Sequence, residues 1–207
     1  MMAFICIQVP KECGRLLSNI KVPGKKESAS EYHITLLFFE NNYPIDKVCE
    51  TLKSAFEALS DIKPFSVKTD TVSSFPVKNG DPYPVIALIK SDELHELNEK
   101  LKKQFDKDSI EYSKVHKTYR PHITLAYSEK KMEEFKIDAV KFVVQEVVMW
   151  CGDTADNRLF VTFPLQGPER KKKAEFLAQE AEMFWRLAEG GGMVLGRTEE
   201  RRKSERN

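Results

Sequence analysis

The chain lacks a long apolar run, a paired-cysteine motif and an excess of charge of either sign. It contains no run of about 18 apolar residues, which excludes a membrane-spanning helix. Its four cysteines, Cys6, Cys13, Cys49 and Cys151, form no Cys-x-x-Cys pair and therefore do not predict a zinc knuckle. With 33 basic and 32 acidic residues, the formal net charge is +1. Because no overall basic bias indicates a nucleic-acid binder, any anionic ligand has to be held by a local cluster of residues.

The length and the composition fit one domain followed by an appendage. Of the 207 residues, 41% are hydrophobic, which is enough for a substantial core. We place the domain at residues 1–165 and the appendage at residues 166–207, because Gly167 and Pro168 interrupt the chain after the last predicted strand. The start, MMAFICIQVPKE, has an apolar run too short for a secretory signal and no basic leader, so we expect a cytoplasmic protein with reduced thiols.

The appendage begins with a predicted amphipathic helix and ends in a charged tail. The helix has an apolar stripe at helical spacing, formed by Leu177, Ala181, Phe184, Trp185 and Ala188. The tail, RTEERRKSERN, has too few apolar residues to fold by itself, so we expect it to be disordered. Since an apolar stripe needs burial, the helix predicts contact with a protein partner or with a second copy of the chain.

Hydrophobic periodicity predicts the same order of elements twice. In the first half, a strand (AFICIQV), a helix (KECGRLLSNI) and a polar loop marked by Gly and Pro (VPGKKESAS) precede the strand EYHITLLFFE. In the second half, a strand (VIALI) and a helix (SDELHELNEKLKKQF, with Ser91 as N-cap) precede the strand RPHITLAYSE. A helix after Pro44 and the strand FSVKTDTVSSFP lie between the halves, and the strands KFVVQEVVMW and RLFVTFPL complete the domain. The repeated order predicts structural pseudo-symmetry.

The tetrapeptide HITL occurs at residues 33–36 and again at residues 122–125. A second copy of a given tetrapeptide in a chain of this length has a chance of roughly one in a thousand on near-uniform residue usage. Residues two apart in a strand share a face, so the His and the Thr of each copy project together, and the Ile and Leu point into the core. If the two strands face each other, two imidazoles and two hydroxyls line one cleft.

Such a cleft suits the cleavage of a phosphodiester. One proton has to leave the nucleophile and another has to reach the leaving oxygen. With pKa values near neutrality, His33 and His122 can act as the base and the acid without a metal, and the sequence leaves open which is which. The hydroxyls of Thr35 and Thr124 can donate hydrogen bonds to the non-bridging phosphate oxygens and hold the group in line.

A basic loop before the second motif supplies further candidate ligands for phosphate. It contains Lys114, His116, Lys117 and Arg120, of which Lys117 and Arg120 are the substrate-binding candidates.

No acidic or thiol residue lies beside either motif histidine in the sequence to complete a zinc site, so we expect no metal. Trp150, at the end of an apolar strand, can stack on a base near the cleft or belong to the core, and the core is the commoner role.

The paired His-x-Thr motifs resemble those of the 2H phosphoesterases, a superfamily named for its two histidines. It includes RNA 2′,5′-ligase-like proteins, cyclic nucleotide phosphodiesterases and phage enzymes that destroy cyclic-oligonucleotide signals. The resemblance covers roughly residues 1–165 and implies a bilobal α+β fold, with two small antiparallel sheets flanked by helices and a cleft between them. It implies catalysis by the two motifs with no metal and no cofactor. Tyr127, five residues after His122, corresponds to an aromatic residue near the cleft in some relatives.

Two functions from different classes fit these observations. The first is a metal-independent phosphodiesterase that acts on a 2′,3′-cyclic phosphate, a 2′,5′-linked oligonucleotide or a cyclic-oligonucleotide second messenger. The near-neutral charge favours a short substrate over long RNA, which needs an extended basic groove with stacking aromatic residues. The second is a non-catalytic module that binds a nucleotide or an RNA end within a larger assembly. The intact pair of motifs favours the enzyme, because a binding-only descendant can lose a His while it keeps a phosphate-binding Thr.

Overall fold

In a computed structural model, the part of the chain that can be described lies within the first of two units, Met1–Arg170. It comprises residues 2–39, 43–44, 47–77, 80–115, 118–152 and 159–166. These residues form nine strands, three helices and a short 3₁₀ turn at Ala29–Glu31. None of the described helices is long and apolar enough to cross a membrane. The predicted C-terminal helix and tail, together with Lys117, lie outside the described residues.

The first sheet contains the first HITL motif and has four antiparallel strands. They are β1 (Ala3–Gln8), β3 (His33–Phe38), β8 (Glu146–Cys151) and β9 (Leu159–Pro164). Their order across the sheet is β3-β1-β8-β9. The central strand β1, AFICIQ, is buried at every position except the last. This agrees with the continuous apolar run from which the strand was predicted.

The second sheet contains the second motif and has five antiparallel strands. They are β2 (Lys25–Lys26), β4 (Phe65–Ser74), β5 (Tyr83–Ile89), β6 (His122–Ser128) and β7 (Phe135–Val144). Their order across the sheet is β2-β6-β5-β4-β7. The α+β fold with two antiparallel sheets is therefore confirmed.

Two details of the strand prediction are wrong. KFVVQEVVMW is not one strand, because β7 ends at Val144 and β8 begins at Glu146 in the other sheet. Only the polar pair Gln145 and Glu146 interrupts the apolar residues of this segment, and a short polar pair does not indicate that the chain changes sheets there. The segment around Lys25 and Lys26 was predicted as a loop from its Gly, Pro and polar residues, yet it adds the edge strand β2 to the second sheet.

Two helices contact the sheet that does not contain the strand preceding them in the chain. α1 (Lys11–Ser18) follows a strand of the first sheet but contacts β7 of the second, whereas α3 (Asp92–Lys107) follows β5 of the second sheet but contacts β3 of the first. α2 (Val48–Ala58) lies against α3. The predicted cap of α3 is confirmed, since the Ser91 hydroxyl accepts a hydrogen bond from the Leu94 N–H at 3.2 Å. Because strands and helices cross over, each lobe contains elements from both halves of the sequence.

The strand β3 contains one residue more than its neighbour β1, and the extra residue is the leucine of the motif. Thr35 lies opposite Cys6 and Leu37 lies opposite Ile5, so Leu36 has no partner in the ladder. Two residues that oppose one on the partner strand form a β-bulge, which bends the strand and shifts the alternation of its side chains by one.

The same bulge occurs in β6. Thr124 lies opposite Ile86 and Ala126 lies opposite Val85, so the leucine of the second motif, Leu125, is left without a partner in that ladder. The pseudo-symmetry of the two lobes thus extends beyond the HITL sequence to an irregularity of the backbone at the same motif position.

Each bulge leaves a leucine carbonyl that a group from outside the paired strand satisfies. The buried Asn98 side chain of α3 donates its Nδ2–H to the Leu36 carbonyl at 2.7 Å. The Glu27 backbone N–H, just after β2, donates to the Leu125 carbonyl at 2.9 Å. Since a buried carbonyl without a partner is costly, these two bonds stabilise the bulges.

We expect Asn98→Leu to lower the free energy of unfolding by about 1–3 kcal/mol, because it removes the donor and leaves the Leu36 carbonyl buried without a partner. Urea unfolding monitored by circular dichroism measures the change. The control is Glu96→Gln, an exposed position on the same helix, for which we expect a change within about 0.5 kcal/mol. Equal stability of Asn98→Leu and the wild type would contradict a structural role for this bond.

Candidate active site

The four polar side chains of the motifs occupy equivalent positions. His33 and Thr35 are half-buried on one face of β3, and His122 and Thr124 are half-buried on one face of β6. The Ile and Leu of both motifs are buried, at 2% exposure or less. The alternation expected from the sequence is therefore present in both strands, and it presents one imidazole and one hydroxyl from each.

Both motif histidines make the same hydrogen bond. Nδ1 of His33 lies 2.7 Å from the carbonyl oxygen of Glu31, and Nδ1 of His122 lies 2.7 Å from the carbonyl oxygen of Arg120. A carbonyl oxygen only accepts, so each Nδ1 must carry the hydrogen. In the neutral ring this leaves Nε2 as the nitrogen that takes up a proton.

The bulges decide which aromatic side chains face the same space as the histidines. With regular alternation, Leu37 and Ala126 share a face with the histidine of their strand, but both are buried in the core. After the one-residue shift, Phe38 and Tyr127 take that face, and both line the cavity beside the motifs. Phe38 is thus the counterpart of Tyr127, each five residues after a motif histidine.

A cavity of about 370 Å³ lies between the two motif strands. Three of the four motif side chains, His33, Thr35 and Thr124, line it together with aromatic rings and two carboxylates. His122 is not part of this lining. It lies two residues before Thr124 on the same face of β6, and its ring meets the Phe75 ring edge-on at 4.6 Å.

A row of aromatic residues crosses the first sheet next to His33. Phe38, Phe4, Trp150 and Phe160 lie opposite one another on the four successive strands. The ring centroids of Phe4 and Trp150 are 4.9 Å apart, and those of Trp150 and Phe160 are 5.0 Å apart. Phe4 also stacks on His33 at 5.1 Å. Trp150 meets both descriptions considered for it, because its half-buried ring lines the cavity and also packs against a core cluster that contains Phe4.

The described basic residues of the loop before the second motif do not line the cavity. The Arg120 guanidinium lies over the Phe75 ring at 5.0 Å from its centroid, and the Lys114 ammonium lies 3.8 Å from a carboxylate oxygen of Asp106. Lys117 is outside the described residues. Arg120 contributes to the site through its backbone carbonyl, which orients His122.

Two cavity residues that sequence reasoning missed are the acidic Glu27 and Glu31. Glu31 lies two residues before the first motif and supplies the carbonyl that orients His33. Glu27 lies in a segment predicted as a loop, and its place beside the second motif depends on the pairing of β2 with β6. No motif or periodicity in the sequence indicates that pairing.

The environment of His33 favours its neutral form. Burial of the ring lowers the pKa of His33 from its ordinary value of 6.5, while the Glu31 carbonyl and the carboxylates of Glu27 and Glu31 raise it in part. The lowering prevails, so at neutral pH the ring holds its hydrogen at Nδ1 and accepts a proton at Nε2.

The cysteines offer no nucleophile to the site. All four are free thiols, and Cys6 is buried opposite Thr35 in the sheet. Burial raises the pKa of Cys6 to about 12 and that of Cys151 to about 11, so both stay protonated at neutral pH. Across the described ranges, no three His, Cys, Asp or Glu side chains are grouped so that they can hold a metal ion.

Solved structures of similar fold cover most of this chain. TT0787 of Thermus thermophilus is 18% identical with a TM-score of 0.66, and 81% of this chain matches 100% of that one. E. coli LigT in complex with 3′-AMP is 15% identical with a TM-score of 0.59, over 80% of this chain and 98% of LigT. A further structure, of a phosphoesterase, is 16% identical with a TM-score of 0.61, over 80% and 99%. At these identities the likeness shows the fold, and no curated protein sequence matches the chain.

A sequence model of one family matches the region that holds both motifs. The model describes the 2′-5′ RNA ligase superfamily, and its match extends over residues 22–155, more than half of the chain. The match includes β2, Glu27, β3 and β6. It confirms the resemblance to the 2H phosphoesterases. This chain belongs to the 2′-5′ RNA ligase superfamily.

Proposed function

We propose that this chain is a metal-independent phosphodiesterase that cleaves a phosphodiester of a nucleotide or a short RNA. The observation that carries the proposal is the equivalence of the two motifs, each with a histidine oriented by a backbone carbonyl and a threonine on the same strand face. Membership of a phosphoesterase superfamily supports the reaction class. The candidate substrates are a 2′,3′-cyclic phosphate, a 2′,5′-linked oligonucleotide and a cyclic-oligonucleotide second messenger.

The two histidines divide the proton transfers. A water or ribose oxygen forms a bond to phosphorus while the bond from phosphorus to the leaving oxygen breaks. His33 is the proposed base, since its lowered pKa keeps Nε2 unprotonated and able to take the proton of the nucleophile. His122 is the proposed acid, which gives a proton to the leaving oxygen. The bonds from each Nδ1 to a carbonyl hold both rings in one tautomer and orientation.

The threonines stabilise charge that grows at phosphorus. Thr35 and Thr124 line the same cavity from opposite sheets, so their hydroxyls can donate to the two non-bridging oxygens of one phosphate. Donors that are held in place before the reaction require no reorganisation when the charge develops. Hydroxyl donors leave the net charge of the cleft unchanged, unlike the lysines and arginines common in phosphate sites.

The size and the lining of the cavity support a nucleotide-sized substrate. A volume of about 370 Å³ is within the range of small-molecule pockets, and the half-buried rings of Phe38 and Trp150 offer apolar surface to a base. E. coli LigT, which shares the fold, has been solved in complex with 3′-AMP, ATP and NADP+. A short substrate agrees with the absence of lysine and arginine from the described lining of the cavity.

We further propose that residues 1–165 hold the activity and that residues 166–207 contact a partner or a second copy of the chain. Leu165 is buried, and its N–H donates to the Gln145 carbonyl at 2.8 Å, which supports a domain boundary just after β9. The four free thiols support a reducing, cytoplasmic location.

We expect His33→Ala and His122→Ala each to lower kcat/KM by about 10²–10⁴-fold in the presence of EDTA, because each removes one proton transfer. The wild type should show a bell-shaped pH profile. Since the base has to be neutral and the pKa of His33 is lowered, its acidic limb should lie below pH 6.5 and disappear in His33→Ala. Steady-state kinetics on the best substrate measures both effects.

The control for these variants is His95→Ala, an exposed position on α3 for which we expect unchanged kinetics. The substrate is found by mass spectrometry of products from cyclic mononucleotides, 2′,5′- and 3′,5′-linked oligoadenylates, cyclic dinucleotides and RNA ends. Near wild-type turnover of either motif variant would contradict the two-histidine mechanism. Binding of one of these molecules with no turnover by the wild type would instead favour the non-catalytic module.

Thr35→Val and Thr124→Val keep the shape and the strand preference of the side chain and remove only the hydroxyl. We expect each to lower kcat about a hundredfold with little change in KM or Tm, because the lost donor acts mainly on the transition state. The control is Thr69→Val in β4, where a buried hydroxyl has no hydrogen-bond partner in the described structure. A large fall in Tm with unchanged kcat would make HITL a packing motif.

A further inference from the structure

The phosphate-binding side of the cavity has an acidic residue where a basic one is usual. Glu27 lines the cavity together with His33, Thr35, Thr124 and Tyr127. The described lining contains no lysine or arginine, although phosphate sites in proteins commonly use these cations. A carboxylate in this position weakens the binding of any anion, so its effect on the reaction needs an explanation.

The backbone holds Glu27 firmly against the second motif. Its N–H donates to the carbonyl of the bulged Leu125, one residue after Thr124. The preceding strand β2 pairs with β6 by placing Lys25 opposite Tyr127. The approach requires Gly24, which has a φ of +92° and whose added Cβ would lie 2.0 Å from the Tyr127 carbonyl oxygen. Glu27 is therefore built into the cleft and is not a side chain of a free loop.

The field of this carboxylate reaches side chains of both sheets. Burial is the main cause that raises the pKa of Tyr127, and the Glu27 carboxylate raises it further. At His33 in the first sheet, the same carboxylate opposes the effect of burial on the pKa. Glu31, the other carboxylate of the lining, acts on His33 in the same sense. A phosphate held between Thr35 and Thr124 is placed within this field.

We propose that Glu27 is a specificity-determining residue that selects a substrate with one negative charge on the reacting phosphate and repels a phosphomonoester that has two. This inference rests on the proposed function, since it takes the cavity as the place where the phosphodiester is cleaved. Like charges brought together in a partly desolvated site are a common means of rejecting a ligand.

The negative charge on the phosphate increases during hydrolysis, so a residue that repels a dianion repels the product more than the substrate. When water cleaves a phosphodiester, its oxygen bonds to phosphorus and one of its protons goes to the base, while the bond from phosphorus to the leaving oxygen breaks and that oxygen takes a proton from the acid. The phosphodiester has one negative charge, whereas the phosphomonoester product loses a second proton with a pKa of about 6 and is a dianion above neutral pH. Repulsion by Glu27 therefore acts on the product more than on the substrate and speeds product release.

The test compares two ligands that differ by one negative charge. Neither ligand has a 2′-hydroxyl, so internal attack on the phosphate cannot occur. At about pH 8, 2′-deoxyadenosine 3′-monophosphate is a dianion and its methyl ester is a monoanion. Isothermal titration calorimetry gives the Kd of both for the wild type, Glu27→Gln and the exposed control Glu96→Gln. We expect Glu27→Gln to bind the dianion about tenfold more tightly and the methyl ester less than about threefold more tightly, with no change in the control.

An equal effect of Glu27→Gln on both ligands, or no effect on either, would overturn the role of Glu27. Failure of both ligands to bind any of the three proteins would overturn it as well, because the cavity would then not be a phosphate site. Turnover of 2′,3′-cyclic mononucleotides by the wild type is measured separately. Its absence would count against the proposed hydrolysis, whereas the ratio of the two Kd values would still decide whether Glu27 selects charge.

Discussion

Both motif strands are shaped by one constraint on the backbone, the extra residue at the leucine of HITL. The bulge turns Phe38 and Tyr127 toward the histidines, and it leaves a carbonyl that a neighbouring element has to satisfy. In the first sheet, the Asn98 side chain of α3 donates to the Leu36 carbonyl. In the second sheet, the Glu27 N–H, just after β2, donates to the Leu125 carbonyl. Both α3, which contacts the first motif strand, and the segment of β2 and Glu27, which lies beside the second, are therefore hydrogen-bonded to a bulge.

The described lining of the proposed phosphate site contains no lysine or arginine. The polar groups of this lining include the His33 imidazole and two threonine hydroxyls, and its charged side chains are those of Glu27 and Glu31. Affinity in such a site depends on hydrogen bonds from the threonines and on contact between a base and the aromatic row, both of which need a small ligand that enters the cavity. In the proposed hydrolysis by water, the product has more negative charge than the substrate, so weak attraction for anions is no disadvantage.

The sequence predicts those parts of the site that repeat or alternate. The duplicated HITL gives both histidine and threonine pairs, and the cap at Ser91 marks the start of α3. The bulges are not predictable in this way, because the sequence of a strand does not show which residue is left without a partner. Strict alternation therefore places Leu37, and not Phe38, on the face of His33. Glu27 is missed for another reason. Its position depends on a two-residue edge strand that pairs over a long distance in the chain, which local patterns do not encode.

The central claim is that both motif histidines act on one phosphorus atom. Nitrogen NMR of uniformly labelled protein, titrated with a nucleoside complex of vanadate that imitates five-coordinate phosphorus, tests it most directly. The account predicts that the Nε2 resonances of His33 and His122 shift together and saturate at one ligand per chain, while both Nδ1 atoms stay protonated toward their carbonyls. A shift confined to one of the two histidines would contradict the account.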